Sequence, residues 1–141
     1  MPSKDKTLYI PDGFLFGTSR AGIKYPDRDD MGLIFCPQKA LAWGVFTKNL
    51  VRAASVLDSE KKLKRPRKVS AVVVNSGCAN ACTGEKGMAD LKRITTALAE
   101  ELHVSEGSII MSSTGVIGQR LPVDKMLKAL KGLVSSIGSA T

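Results

Sequence analysis

The sequence predicts an α/β layered fold, in which an N-terminal β meander begins a sheet and two strand–glycine turn–helix units complete it and cover it with helices. Three observations carry this prediction. Between residues 8 and 47, short apolar segments alternate with proline, glycine and aspartate clusters, the punctuation of extended chain and tight turns. Residues 69–74 are a valine-rich run closed by a glycine turn, and an amphipathic stretch follows. The same order then repeats, with an apolar run at 107–113, a second glycine turn and a second amphipathic stretch.

In chain order, residues 8–10 and 14–23 read as extended, with Pro11, Asp12 and Gly13 as the turn between them. Residues 31–36 and 40–47 give two more strands, separated by Pro37, Gln38 and Lys39. A short helix is expected over 53–63, resting on Val56, Leu57 and Leu63 and ending before Pro66. The valine run at 69–74 has the pattern of a strand buried on both faces. Over 85–102, Met88, Leu91, Ile94, Leu98 and Leu102 recur at intervals of three or four and so share one helical face. A strand is expected at 107–113. Pro122 fits the first turn of a last helix, with Asp124 near its positive end and Met126, Leu127, Leu130, Val134 and Ile137 as its buried stripe. If the two later strands run parallel, their glycine turns lie at the same end of the sheet.

With 141 residues, 43% of them hydrophobic and 24% charged, the chain has the size and balance of one globular domain or part of one. No apolar run approaches the roughly 20 residues of a membrane span. The polar start, Met1 to Lys6, has no apolar signal core behind it, so a cytoplasmic location is the expectation. The formal charge of +8 raises the question of nucleic acid. Much of the excess, however, sits between Lys61 and Lys68, where Pro66 interrupts any helix and no aromatic ring offers a stacking surface; a solvated loop is the expected structure.

The three cysteines, Cys36, Cys78 and Cys82, are an odd number with no disulfide framework, so free thiols are expected. Cys78 and Cys82 are close in sequence, but the single histidine, His103, lies well downstream and nothing completes a zinc site. No metal or cofactor is called for. Cys78 and Cys82 read as buried, inert thiols, and His103 as a cation near a helix C-terminus.

The chemistry therefore falls to the two turns, Asn75 to Gly87 and Ser112 to Gly118. Glycine at such points marks positive φ or close approach to a ligand. The P-loop spacing is absent, because Gly84 is followed by Glu85, Lys86 and Gly87; the dinucleotide fingerprint and the Gly-x-Ser-x-Gly elbow are absent too. What remains is oxyanion stabilisation: in Ser113-Thr114-Gly115 a hydroxyl and an adjacent glycine N–H can converge on one oxygen as an acyl carbon becomes tetrahedral. Asn75, Asn80 and Thr83 are expected to fix the first turn through side-chain to backbone hydrogen bonds.

Taken together, Val72-Val-Val-Asn-Ser-Gly-Cys-Ala-Asn-Ala-Cys-Thr-Gly-Glu-Lys-Gly87 and Ser113-Thr-Gly-Val-Ile-Gly-Gln-Arg-Leu-Pro-Val-Asp-Lys125 resemble the ornithine acetyltransferase family, the bifunctional glutamate N-acetyltransferases of arginine biosynthesis. Pro11-Asp-Gly-Phe14, Ala21-Gly-Ile-Lys24 and Gly44-Val-Phe-Thr-Lys-Asn49 match its N-terminal motifs in order. The family commonly has asparagine at the position of Cys78. The resemblance implies that residues 11–141 are the N-terminal portion of an α chain, with residues 1–10 as a polar tail. In the family a precursor cleaves itself into α and β chains, forming an α2β2 heterotetramer. The N-terminal threonine of β takes the acetyl group from N-acetylornithine and passes it to glutamate; acetyl-CoA is a further possible donor.

Residue by residue, the family's oxyanion hole falls on Thr114, through its hydroxyl, and Gly115, through its N–H. Thr141 cannot be an N-terminal nucleophile, so this polypeptide alone is expected to be inactive. A fragment of this kind is also expected to expose apolar surface and associate. Two other readings stay open on sequence: an inactive binding module with a basic loop, and a nucleic-acid-binding protein using Lys61 to Lys68.

Overall fold

The computed structural model describes residues 10–138. Most of the polar tail, Leu8 and Tyr9 of the first expected strand, and Thr141 lie outside the described residues. Strands β1 (Leu15–Ser19), β2 (Met31–Ala42), β3 (Arg67–Asn75) and β4 (Ile109–Ser113) form a four-stranded sheet in the order β1-β2-β3-β4. β2 pairs antiparallel with both β1 and β3, whereas β3 and β4 run parallel. Helices α1 (Ala54–Lys62), α2 (Gly84–Leu102) and α3 (Val123–Ser135) complete the mixed α/β architecture that the sequence predicts.

The strands expected at 31–36 and 40–47 are one strand that ends at Ala42. Pairing runs from Phe35 opposite Ala71 to Ala40 opposite Val69, so the residues between them bulge. The bulge accommodates Pro37, which cannot donate a ladder hydrogen bond, and Lys39 takes φ 62 to close it. A separate turn is unnecessary because the extra residues are absorbed within the strand.

Cross-strand register divides the sheet into two faces. Leu33, Val73 and Met111 stand opposite one another and join Leu91, Ile94 and Leu98 of α2 and Met126, Leu130 and Leu133 of α3 in one buried core. The alternate row, Ile34, Val72 and Ile110, is only half-buried. The valine run is thus buried on one face, not two: α2 and α3 cover one side of the sheet, and the described residues do not fully cover the other. In α3 the stripe rotates slightly, with Leu133 buried where Val134 is half-buried. Its C-terminal end is tied to β1, since Ser136 Oγ accepts from Thr18 N–H at 2.9 Å and Phe16 C=O from Gly138 N–H at 3.1 Å.

Helix α1 departs most from expectation. It buries Ala54, Ser55, Asp58 and Ser59, while Leu57 is exposed and Val56 half-buried; of the three predicted contacts only Leu63, just past the helix, is buried. Its inward face is polar because it carries an ion network. Lys62, whose side chain is 8% exposed, reaches Glu106 Oε1 at 2.8 Å and the Ile109 carbonyl at 3.0 Å, and lies 2.9 Å from Asp58 Oδ2 in a charge contact without hydrogen-bond alignment. Lys92 and Thr95 of α2 donate to the same Glu106.

The segment from Lys61 to Lys68 is therefore not a solvated loop throughout. Lys61 and Lys62 close α1, Arg67 and Lys68 open β3, and one of the four cations is buried and paired. The Glu106 carboxylate accepts from two ammonium groups at once, Lys62 on Oε1 and Lys92 on Oε2, and sequence spacing does not reveal it.

Candidate functional site

Strands β3 and β4 are parallel and end level, with Asn75 opposite Ser113, so the two glycine turns emerge side by side. Backbone hydrogen bonds lace them together. Thr114 N–H donates to Asn75 C=O at 3.0 Å, Val116 N–H to Gly77 C=O at 3.2 Å, Ala79 N–H to Val116 C=O at 2.9 Å and Gly118 N–H to Ala81 C=O at 2.9 Å. Cys78 Sγ–H donates to Gln119 C=O at 3.2 Å. The expected side-chain clamps within the first turn are present: Asn75 Nδ2 donates to Cys78 C=O, Asn80 Nδ2 to Gly87 C=O, and Thr83 Oγ1 to Asn80.

This lacing explains two of the glycines. Gly115 has φ 133, and a Cβ there would overlap the Gly77 carbonyl carbon and stand 2.5 Å from Cys78 N. Gly77 has φ 105, and a Cβ there would press on Lys24 and Ile23. Gly115 needs a residue without a side chain because it lies directly against the backbone of the first turn, and Gly77 because its φ lies where side chains are rarely tolerated.

A cleft of about 590 Å³ opens beside the turns. Ser76, Gly77, Thr114 and Gly115 of the two turns line it together with Lys24, Tyr25, Asp27 and Arg28. Thr114 and Gly115 are exposed, and among the described residues neither the Thr114 hydroxyl nor the Gly115 N–H has a hydrogen-bond partner. The first turn contributes only its start. The N-terminal end of α2, with Cys82, Thr83 and Gly84, borders a different cavity of about 310 Å³ alongside Leu50 and Val51.

The placement of Lys24, Tyr25 and Arg28 at the cleft depends on Asp30, which sequence reasoning missed. This buried carboxylate accepts from Ala21 N–H at 2.7 Å and Ile23 N–H at 2.6 Å, while Asp30 C=O accepts from Ser76 N–H at 2.9 Å. It thereby folds the segment carrying Lys24, Tyr25 and Arg28 against the first glycine turn. An aspartate followed by the strand Met31–Ala42 was the available signal, but its partners are backbone groups that sequence does not pair. Asp30→Ala should destabilise the protein by about 3 kcal/mol, from two charge-assisted hydrogen bonds at roughly 1.5 kcal/mol each, with Asp30→Asn costing less. Urea unfolding of both variants checks the order, and an alanine variant as stable as the parent would remove this role.

Farther from the cleft, Arg120 grips buried Asp90 of α2 through Nε at 2.8 Å and Nη2 at 2.5 Å, anchoring the end of the second turn. Cys78 is buried but Cys82 is exposed, contrary to expectation for the latter, because Cys82 adopts φ 57 in the turn and projects away from the core. His103 closes α2 in the left-handed region with φ 53, its N–H reaching Ala99 and Glu100 carbonyls, so its backbone caps the helix. Among the described residues no cluster of three or more His, Cys, Asp or Glu side chains could hold a metal ion, and no helix is long and apolar enough to cross a membrane.

A sequence profile described as the ArgJ family matches residues 15–141. The chain is 41% identical over 131 residues to the arginine biosynthesis bifunctional protein ArgJ of Thermotoga neapolitana, covering 92% of this chain and 33% of that protein. The identity to the ArgJ protein of Geobacter sulfurreducens is 44% over 130 residues, with the same coverage of 92% and 33%. The chain therefore spans about a third of the length of these curated relatives. In three dimensions it is similar to the ornithine acetyltransferase of Mycobacterium tuberculosis solved with ornithine, with TM-score 0.85 and 38% identity over 92% of this chain and 70% of that one. The Bacillus halodurans ArgJ structure gives TM-score 0.77 and 37% identity, over 83% and 61%. The motifs at the two turns, the matching profile and the shared fold agree, and the chain belongs to the ArgJ family.

Proposed function

We propose that this chain supplies the oxyanion hole of an acetyltransferase that moves an acetyl group from N-acetylornithine to glutamate in arginine biosynthesis. The observation that carries the reading is the pair of exposed donors, Thr114 Oγ1 and Gly115 N–H, without a hydrogen-bond partner among the described residues, on a cleft beside the two laced turns. In the proposed reaction a threonine hydroxyl on a β chain attacks the acetyl carbonyl. Its proton passes to the threonine's own α-amine. The carbonyl oxygen becomes an oxyanion, held by Thr114 and Gly115. Collapse of the intermediate expels ornithine as its amine, which takes up the proton, and leaves an acetyl-threonine ester. Glutamate's amine attacks that ester through a second oxyanion in the same hole, releasing N-acetylglutamate and the free threonine.

The nucleophile, the β chain and an α2β2 assembly enter this reading through family membership. So do residues 11–141 as the front of an α chain and a cytoplasmic location. The surface supports incorporation into a larger fold. Leu41, Trp43, Val45 and Leu50 lie on one stretch, with Trp43 75% and Leu50 98% exposed, an apolar display unusual for a self-sufficient domain. The decisive experiment is acetyl transfer from N-acetylornithine to glutamate, run on this chain alone and on the assembled enzyme. Turnover is expected only in the assembly, and an inactive assembly with native fold would refute the proposal.

A further inference from the structure

We infer that the outward face of α2 docks a second copy of this chain. The two α2 helices would run antiparallel about a twofold axis level with Thr96 and Ala97, so that Arg93 of each copy meets Glu100 of the other. The inference concerns assembly and does not depend on the proposed acetyl transfer.

Helix α2 buries Leu91, Ile94 and Leu98 in the core. Its opposite side carries Ala89, Arg93, Ala97 and Glu100 at intervals of three or four, with Thr96 beside Ala97, so these residues share one stripe. A groove of about 470 Å³ lies on that stripe, and Leu127 of α3 also lines it. Ala89, Ala97 and Leu127 are each only half-buried, which leaves apolar surface between the charged residues.

The charges on the stripe are arranged for self-recognition. Arg93 precedes the midpoint between Thr96 and Ala97 by as many residues as Glu100 follows it. In two antiparallel helices related by a twofold axis through that midpoint, Arg93 and Glu100 stand level, and the symmetry makes the pair twice. The two pairs lie about 10 Å apart along the helix, at 1.5 Å per residue. Between them each Ala97 meets its own copy, and its small side chain lets the backbones approach. A parallel arrangement would instead oppose arginine with arginine and glutamate with glutamate, which like-charge repulsion disfavours.

Both groups are available for such a contact. The Glu100 carboxylate has no partner among the described residues. Arg93 is 58% exposed and reaches Asp124, itself 86% exposed, at 3.5 Å. A surface pair of that kind contributes little and does not hold the guanidinium back from a better acceptor. Lys92, by contrast, is turned to Glu106 at 2.7 Å, so the cation left for a partner on this stripe is Arg93.

Charge reversal tests the pairing. Arg93→Glu gives a copy with two acidic positions and Glu100→Arg one with two basic positions, so each variant alone sets like charges opposite one another. Sedimentation equilibrium, on the chain as it stands and on the assembled enzyme, should show self-association weakened about tenfold or more in either variant. Mixed in equal amounts, the two variants should regain parental association, because each supplies the charge that the other lacks; that recovery also shows that both are folded. Ala97→Cys, made with Cys82→Ser to remove the exposed thiol, should cross-link two copies through a short bis-maleimide. A parent that does not associate, parental association in either single variant, no recovery on mixing, or no cross-link at position 97 overturns the inference.

Discussion

Replacing Thr114 with alanine should lower kcat of the assembled enzyme by about 10²–10³-fold, the usual cost of deleting one oxyanion-hole donor, equivalent to about 3–4 kcal/mol in the barrier. KM should change little, because the hydrogen bond strengthens only as charge develops on the carbonyl oxygen. Thr114 is exposed and its backbone N–H, not its side chain, holds the turn, so the variant should unfold at the parental urea concentration. Thr114→Ser, which keeps the hydroxyl, should recover most of the rate. Near-parental turnover in Thr114→Ala would remove the oxyanion assignment. Gly115→Ala should fail differently: its Cβ would collide with the backbone of Gly77 and Cys78, so both stability and activity should fall.

The second large effect lies in the core. Lys62→Met should cost about 3 kcal/mol of stability, the range seen when one member of a largely buried ion pair is deleted. The methionine fills the space of the lysine stem but leaves Asp58 and Glu106 without their shared cation and the Ile109 carbonyl without a donor. Burial raises the Glu106 pKa, but hydrogen bonds from Lys62, Lys92 and Thr95 outweigh it and bring the value to about 2. The folded protein therefore binds this proton less readily than the unfolded chain, whose carboxyl titrates near 4.5. The stabilisation is complete above that value and is lost as pH falls from about 4.5 toward 2. In Lys62→Met the main opposing donor is gone, so the acid-sensitive window should narrow and lie at higher pH. Urea titrations of both proteins from pH 7 to pH 2 measure this. An unchanged acid limb would show that Lys62 does not set the Glu106 affinity.

Expected elements matched where local chemistry and burial pointed the same way. The stripe of Leu91, Ile94, Leu98 and Leu102 forms the buried face of α2, and Met126 and Leu130 do the same in α3. Expectations missed where a residue's partner is remote in sequence. Lys62, expected in a solvated basic loop, is buried because Asp58 and Glu106, the latter brought in by the turn before β4, gather around it. Pro37 and Lys39 look like a hairpin connection until β3 shows that the strand continues beyond them.

The candidate site divides in the same way. The glycine turns, their clamping side chains and the Thr114–Gly115 pair are contiguous motifs, so their residue types and spacing were enough to single them out. By itself the sequence determined the α/β class, the two long amphipathic helices and the family. Only the tertiary structure decided that the turns lie side by side, that Asp30 folds the segment carrying Lys24 and Arg28 against the first turn, and that Lys62 is buried. The physical reason is range. Helical periodicity and turn chemistry are set by neighbours within a few residues, whereas a parallel strand pair, a carboxylate bound to distant N–H groups and a shared counter-ion exist only after the chain has closed on itself.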